Sequence, residues 1–229
     1  MSCLLPGFYR HGSECMLGRF PVSIIPYGLN LDDFAPRDRS IARTVLGVPQ
    51  DAHVIFFCSN WMGNRRKGFP LLAQALAGSE KFNHPILISL SSGPSPIHIP
   101  IPHLHLGPIH DDCFLSFAYS AADLIVISSL QDNLPNAVLE AIACGTPVMG
   151  FAVGGIPDMV RPGITGLLVT PQEVSGLSAA IGELLRDPVR RADKARNCRR
   201  IAVEEYGLEL QARRYLDIYE TQVNAQRPQ

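Results

Sequence analysis

The chain has 229 residues, 46% of them hydrophobic and 18% charged, so it can bury a substantial core and is not a disordered polymer. Its formal net charge of −1 argues against a nucleic-acid-binding surface. Six cysteines, at positions 3, 15, 58, 113, 144 and 198, contain no Cys-x-x-Cys pair, which fits free thiols in a reducing compartment better than a disulfide framework. No apolar run is long enough to span a bilayer and the first residues do not make a convincing signal peptide, so a cytoplasmic protein is expected.

Residues 1 to about 22 mix Gly, Pro and His with short apolar pieces and define no domain. Val22 to Pro26 is a short strand candidate, and Tyr27-Gly28-Leu29-Asn30 reads as a turn. Arg39 to Leu46 has helical composition and closes on Gly47. His53 to Ser59 reads as a strong buried strand. After it come Asn60-Trp61-Met62-Gly63-Asn64-Arg65-Arg66-Lys67-Gly68-Phe69 and a helix to about Ala77. Three consecutive cations therefore sit at a strand-to-helix loop, the edge at which open α/β sheets bind ligands. Taken alone, such a cluster reads as solvated surface.

Pro85 to Ser91 and His103 to Leu106 are the next strands, with a Pro- and Ser-rich connection between them. Of His98, His103, His105 and His110, only His103 and His105 would share a strand face, and no acidic or thiolate ligand accompanies them at a recognised spacing. No metal site is expected. Asp111 to Ala122 reads as an amphipathic helix capped by Asp111 or Asp112.

Leu124 to Ser128 is a further buried strand, broken by Asp132 and Asn133. Pro135 suits the first turn of a helix running from Asn136 to Cys144, which Gly145 ends ahead of Pro147. A helix start offers open N–H groups and a partial positive charge, a natural seat for phosphate. Glu140 lies roughly 7.5 Å further along that axis, within reach of the hydroxyls of a ribose whose diphosphate sits at the helix start. Asp132, in the preceding loop, is placed to accept hydrogen bonds from a sugar beyond the diphosphate. Val148 to Ala152, a Gly154-Gly155 turn, a short helix from Pro157 and a strand from Gly166 to Val169 follow. The glycine pair serves either a ligand approach or a tight fold. Helices over 173–186, 188–204 and 208–224 complete the chain.

Strands alternating with helices, about six of them after residue 50, imply a Rossmann-like α/β fold: a doubly wound parallel sheet with helices on both faces. The Gly-x-Gly-x-x-Gly fingerprint is absent, which counts against a nicotinamide or flavin enzyme.

Asp132 to Val148, followed by Gly154-Gly155-Ile156-Pro157-Asp158-Met159-Val160, resembles the nucleotide-sugar site of the retaining glycosyltransferases of family four, which have the two-Rossmann GT-B architecture. The family pattern is Glu-x-Phe-Gly-x4-Glu, an alanine-rich helix, Gly-x-Pro-Val and Gly-Gly-x-x-Glu. This chain matches the second Glu as Glu140 and keeps Glu-Ala, Cys-Gly-Thr-Pro-Val and Gly-Gly. It departs at Asp132, Leu134, Pro135 and Asp158; both acidic changes keep the charge on a shorter arm, and Pro135 removes one N–H, leaving those of Asn136 and Ala137.

The resemblance covers roughly residues 22 to 220 and implies the C-terminal, donor-binding half of the GT-B fold. Implied boundaries are 1–36 for an N-terminal remnant and interdomain linker, 37–206 for the donor-binding domain, and 207–229 for a C-terminal crossing helix and tail. An alternative for that helix is packing on its own domain through Leu208, Tyr215, Leu216 and Tyr219. Lys67 matches the family's diphosphate-binding lysine. Arg66 is favoured as the second cation, with Arg65 still open. The segment at Ile109 corresponds to the loop that lies against the nucleotide base. The substrate-binding set thus comprises Arg66, Lys67, Ile109, Asp132, Asn133, Leu134, Asn136, Ala137 and Glu140, with Lys67 and Asp132 in catalytic roles.

The implied activity is transfer of a sugar from a nucleotide diphosphate sugar to an acceptor hydroxyl with retention. The nucleotide sugar is a substrate; no cofactor and no metal are implied. A glycan or lipid-linked acceptor agrees with the family, and with it peripheral contact at the inner membrane face. The family's first, acceptor-binding domain has no counterpart in this sequence, so the expectation is a fragment, a truncated gene, or a chain completed by a partner or by self-association. Two alternatives are a non-catalytic nucleotide-sugar-binding module and a GT-B sugar epimerase; the Asp-x7-Glu helix favours the transferase over the epimerase.

Overall fold

The computed structural model describes residues 23–225 apart from 79–81, 83 and 96. Its elements in chain order are α1 (Arg39–Val45), β1 (His53–Trp61), a 3₁₀ turn (Arg65–Lys67), α2 (Phe69–Leu76), β2 (Pro85–Ser92) and β3 (His103–His105). They continue with α3 (Asp112–Ala121), β4 (Leu124–Ile127), α4 (Asn136–Ala143), β5 (Val148–Phe151), α5 (Ile156–Met159) and β6 (Gly166–Val169). Three helices end the chain: α6 (Val174–Arg186), α7 (Pro188–Glu205) and α8 (Leu208–Ala225).

All strand pairs are parallel, in the order β3-β2-β1-β4-β5-β6. The alternation of side chains along β1 explains why the sequence there is apolar throughout. Val54 and Phe56 point into a core shared with α1, α3, α4 and α7, through residues such as Ala42, Tyr119, Ile142 and Ile201. Ile55 and Phe57 point into the opposite core, shared with α2 and α6 through Leu72, Leu76, Leu177 and Ile181. β4 divides in the same way, Ile125 and Ile127 on one side and Leu124 and Val126 on the other. Helices thus cover both faces, as the Rossmann-like reading requires.

Capping follows the sequence. Asp38 and Asp111 accept from the N–H groups of Ile41 and Phe114 at 2.9 and 2.6 Å, at the starts of α1 and α3. Gly145 takes φ +72° where α4 gives way to the turn into β5.

Two expectations are corrected. Residues 23–26 form no strand; Val22 lies outside the described residues. Pro26 brings no N–H, and among the described residues the backbone there first pairs at Leu29, which makes a parallel bridge with Gly207 and donates its N–H to the carbonyl of Tyr206 at 2.7 Å. The alternative given for α8, packing on its own domain through Leu208, Tyr215, Leu216 and Tyr219, is not what the structure shows: these side chains are 49%, 44%, 58% and 62% exposed. Residues 1–22 of the implied N-terminal remnant are likewise outside the described set. Cys58, Cys113, Cys144 and Cys198 are free thiols. Among the described residues no helix is long and apolar enough to cross a membrane.

Candidate functional site

Strand order reverses between β1 and β4, and the helices that follow them, α2 and α4, go to opposite faces of the sheet. Such a switch point opens a crevice at the carboxyl edge of the strands. Two loops meet there and are joined backbone to backbone. The Leu130 N–H donates to the Arg66 carbonyl at 2.7 Å, and Ser128 Oγ donates to the Lys67 carbonyl at 3.0 Å. Gly68, at φ +63°, permits this approach: a Cβ there would stand 1.9 Å from the Ser128 carbonyl oxygen.

On this seam Lys67 Nζ lies 2.6 Å from Asp132 Oδ2, and Ser129 Oγ donates to the same oxygen at 3.1 Å. The two side chains of the ion pair are 25% and 15% exposed, so water reaches them from one side only. Lys67 belongs to the 3₁₀ turn, which Asn64 caps by accepting from the Arg66 N–H at 3.1 Å, and not to α2 itself. Arg65 and Arg66 are both exposed. Of these two arginines, it is Arg66 whose carbonyl is tied to the β4 loop.

Pro135 stands at the N-cap of α4, and its carbonyl accepts from the Val138 N–H at 2.9 Å. The N–H groups of Asn136 and Ala137 make no hydrogen bond among the described residues, as the first donors of a helix do when no side chain caps them. The Gly154-Gly155 pair packs against the loop itself. A Cβ at Gly154 would meet the Asp132 carbonyl oxygen at 1.7 Å, and one at Gly155 the Asn133 carbonyl oxygen at 2.1 Å. Of the two uses open to these glycines, the tight fold is the one observed, and it sets the backbone of Asp132, Asn133 and the half-buried Leu134.

Glu140 is largely enclosed, and its Oε2 accepts from the Tyr119 hydroxyl at 2.6 Å. Burial raises the Glu140 pKa above the usual carboxylate range, and the Tyr119 hydrogen bond offsets part of that rise. The same hydroxyl lies 3.7 Å from Cys58 Sγ, whose thiol is pushed up to about 12 by burial and then by the Glu140 charge, which favours the protonated form. Tyr119 and Ser129 complete the site without a signal in the sequence. Tyr119 lies 21 positions from Glu140 on another helix, and only the packing of α3 beside α4 joins them.

Ile109 stands apart, half-buried on the β3–α3 connection at the same carboxyl edge. Asp158 sits half-buried in the first turn of α5. His103 and His105 do share a face: both rings meet Ser89 Oγ, at 2.6 and 3.1 Å. Among the described residues no three His, Cys, Asp or Glu side chains converge as a metal site.

The geometry has close relatives. Residues 52–187, more than half of the chain, match the family model of the glycosyl transferases group 1. A D-inositol 3-phosphate glycosyltransferase of Thermobispora bispora is 30% identical over 214 residues, 86% of this chain and 50% of the relative. The sucrose-phosphate synthase of Thermosynechococcus elongatus superposes with a TM-score of 0.84 at 27% identity, over 96% of this chain and 57% of that one. Anabaena HepE, solved in complex with UDP-glucose, shares the fold with a TM-score of 0.73 at 22% identity, over 87% of this chain and 57% of its own. The chain thus spans about half the length of the curated relative. By that family match and that relative, the chain belongs to the group 1 glycosyl transferases.

Proposed function

We propose that the chain is the donor-binding half of a retaining glycosyltransferase that uses a nucleotide diphosphate sugar. The observation that carries this reading is the Lys67–Asp132 pair at the switch point, beside the open N–H groups of Asn136 and Ala137. When the bond from the anomeric carbon to the diphosphate breaks, negative charge grows on the departing phosphate. Lys67, Arg66 and the α4 N–H groups supply fixed positive charge there, stabilisation that needs no rearrangement during reaction. Asp132 orients the transferred sugar, Glu140 holds the ribose, and Ile109 meets the base. In the retaining reaction the acceptor hydroxyl attacks on the face the diphosphate leaves.

Support for a nucleotide sugar comes from family membership and from the shared fold of Anabaena HepE, solved with UDP-glucose. The coverage of about half of the relative's length supports the half-domain role. A second reading is a nucleotide-sugar-binding module that transfers only when joined to an acceptor-binding unit, because transfer needs donor and acceptor held together in reacting geometry.

Calorimetry with UDP, GDP and their glucose and mannose conjugates tests the donor site. D-Inositol 3-phosphate, the substrate in the name of the Thermobispora relative, is the first acceptor to supply. Proton NMR of any product then reads its anomeric configuration. Absence of binding to every nucleotide sugar by the folded chain would refute the donor-site reading. Inversion at the anomeric carbon would refute retention alone.

A further inference from the structure

At the opposite edge of the sheet, where the strands begin, a cavity of about 680 Å³ opens beneath the starts of β4 and β5, between the segment entering α1 and the flank of α7. Six arginines line it: Arg37, Arg39, Arg191, Arg196, Arg199 and Arg200. Asp123 is the one acidic residue in its wall among the described residues.

That carboxylate is already over-subscribed. Asp123 is buried, and its Oδ2 accepts from the Val54 N–H at 2.7 Å and from Arg43 Nη2 at 3.0 Å. Its Oδ1 is shared by Arg39 and by Arg191 Nε at 3.2 Å. Three guanidinium groups thus converge on a single negative charge. Arg37 and Arg199 meet no carboxylate among the described residues. Arg37 donates to Ser116 Oγ at 2.7 Å and to the carbonyls of Asp32 and Asp33 at 3.0 and 2.7 Å. Arg199 donates to the carbonyls of Phe34, Ala143 and Leu31 at 2.9 to 3.1 Å. Carbonyls satisfy hydrogen bonds without cancelling a full charge.

Arg196 and Arg200 pair with Asp193 and Glu204 on the outer face of α7, with side chains 72% and 53% exposed. Ion pairs so exposed hold their partners weakly and release them readily. With Arg43 behind the wall, seven arginines face four carboxylates (Asp123, Asp187, Asp193 and Glu204), a local surplus of three positive charges in a chain whose net charge is −1. The crowding is felt within the cluster: burial, and then the charge of Arg39, lower the pKa of Arg43.

Guanidinium forks match phosphate oxygens in geometry and charge. The volume lies within the range of small-molecule pockets, and Pro36, Pro147 and Ala195 give the wall an apolar stretch for a carbon skeleton. We propose that this cavity is a second anion site, separate from the crevice at the carboxyl edge, which binds a small soluble phosphate ester or polyphosphate. The ligand's charge completes an arginine cluster that the protein's own carboxylates leave uncompensated.

Titration calorimetry of the full chain with sodium tripolyphosphate tests the proposal. The Lys67→Ala background removes the anchor assigned to the crevice. We expect one-to-one binding that survives Lys67→Ala and weakens steeply with added salt. Adding Arg196→Glu with Arg200→Glu should lower the affinity at least tenfold. Both side chains are exposed on α7, and a melting curve checks the fold. Arg39→Gln, which leaves Arg43 and Arg191 on Asp123, carries the same expectation if the double variant unfolds. No tripolyphosphate binding in the Lys67→Ala protein, or binding indifferent to the arginine variants, would overturn the proposal. So would binding to phosphatidylglycerol vesicles without affinity for tripolyphosphate, which would assign the arginines to a membrane surface.

Discussion

Lys67 and Asp132 are 65 positions apart in the chain and 2.6 Å apart across the switch point, so the cation assigned to the diphosphate and the carboxylate assigned to the sugar are partners of each other. A donor entering the crevice must share Lys67 with Asp132, and removal of either residue alters what the other offers.

Lys67→Ala should weaken nucleoside diphosphate binding by about ten- to a hundredfold, the equivalent of a charge-assisted hydrogen bond of about 1.5–3 kcal/mol. Because Lys67 lies in a half-exposed turn, the melting temperature should change little. Unchanged diphosphate affinity in a folded variant, measured calorimetrically, would remove Lys67 from the site.

Asp132→Asn should divide the ligands. It takes away the competitor for Lys67, so plain UDP or GDP should bind as well as before or more tightly. The sugar-bearing donor should lose affinity several-fold. Parallel titrations of nucleotide and nucleotide sugar decide the matter, and an equal change in both would contradict separate roles.

Glu140 should make nucleotide binding depend on pH. Burial raises its pKa in the folded chain, so its contribution to stability is fully present below the ordinary carboxylate range and is lost as pH rises through the raised value. A ribose donating hydroxyl hydrogens to the carboxylate favours the ionised form, so affinity should climb with pH across that window. Tyr119→Phe removes a hydrogen bond that also favours ionisation, and should move the midpoint to higher pH. Glu140→Gln should abolish this component of the dependence and leave the part set by the terminal phosphate of UDP, which titrates at about pH 6. UDP affinities measured between about pH 4 and 8 would show both effects, given an ordinary glutamate pKa of about 4.3. A midpoint unmoved by Tyr119→Phe would count against the Tyr119–Glu140 coupling.

Gly154→Ala and Gly68→Ala should each destabilise the fold by more than about 1 kcal/mol, since both positions have positive φ and a Cβ would collide with a carbonyl oxygen. Gly47→Ala is the control: φ is +67°, but nothing lies within 4 Å of the added carbon, so only the backbone term remains. Urea midpoints should rank Gly47→Ala as the mildest of the three. A milder Gly154→Ala would show that the loop at Asp132 yields more easily than the contact implies.

Some of this was legible without coordinates. The run at His53 read as a buried strand and the run at Leu124 as a strand buried on both faces, and β1 and β4 do feed separate cores on either side. Asp111 or Asp112 read as a cap, and Asp111 is the one that serves; Gly145 read as a stop and Gly166 to Val169 as the last strand, because caps, stops and two-sided burial are each written within a few neighbouring residues. The segment before Leu29 misled for the same reason: its composition suits a strand, but a strand needs a partner, and composition does not say whether one is present.

Sequence alone determined the kind of fold and proposed three candidate side chains, Lys67 by family resemblance and Asp132 and Glu140 by the motif they stand in, because strand and helix periodicity and such motifs are properties of short stretches. Tertiary structure alone decided that Lys67 and Asp132 form an ion pair, that Tyr119 holds Glu140, that the Gly154-Gly155 pair supports the loop, and that seven arginines gather near one buried carboxylate. Each of these depends on which strands lie side by side in the order β3-β2-β1-β4-β5-β6 and on which faces their helices cover. Proximity of that kind is set by the packing of the two cores as a whole, and no short stretch of the chain encodes it.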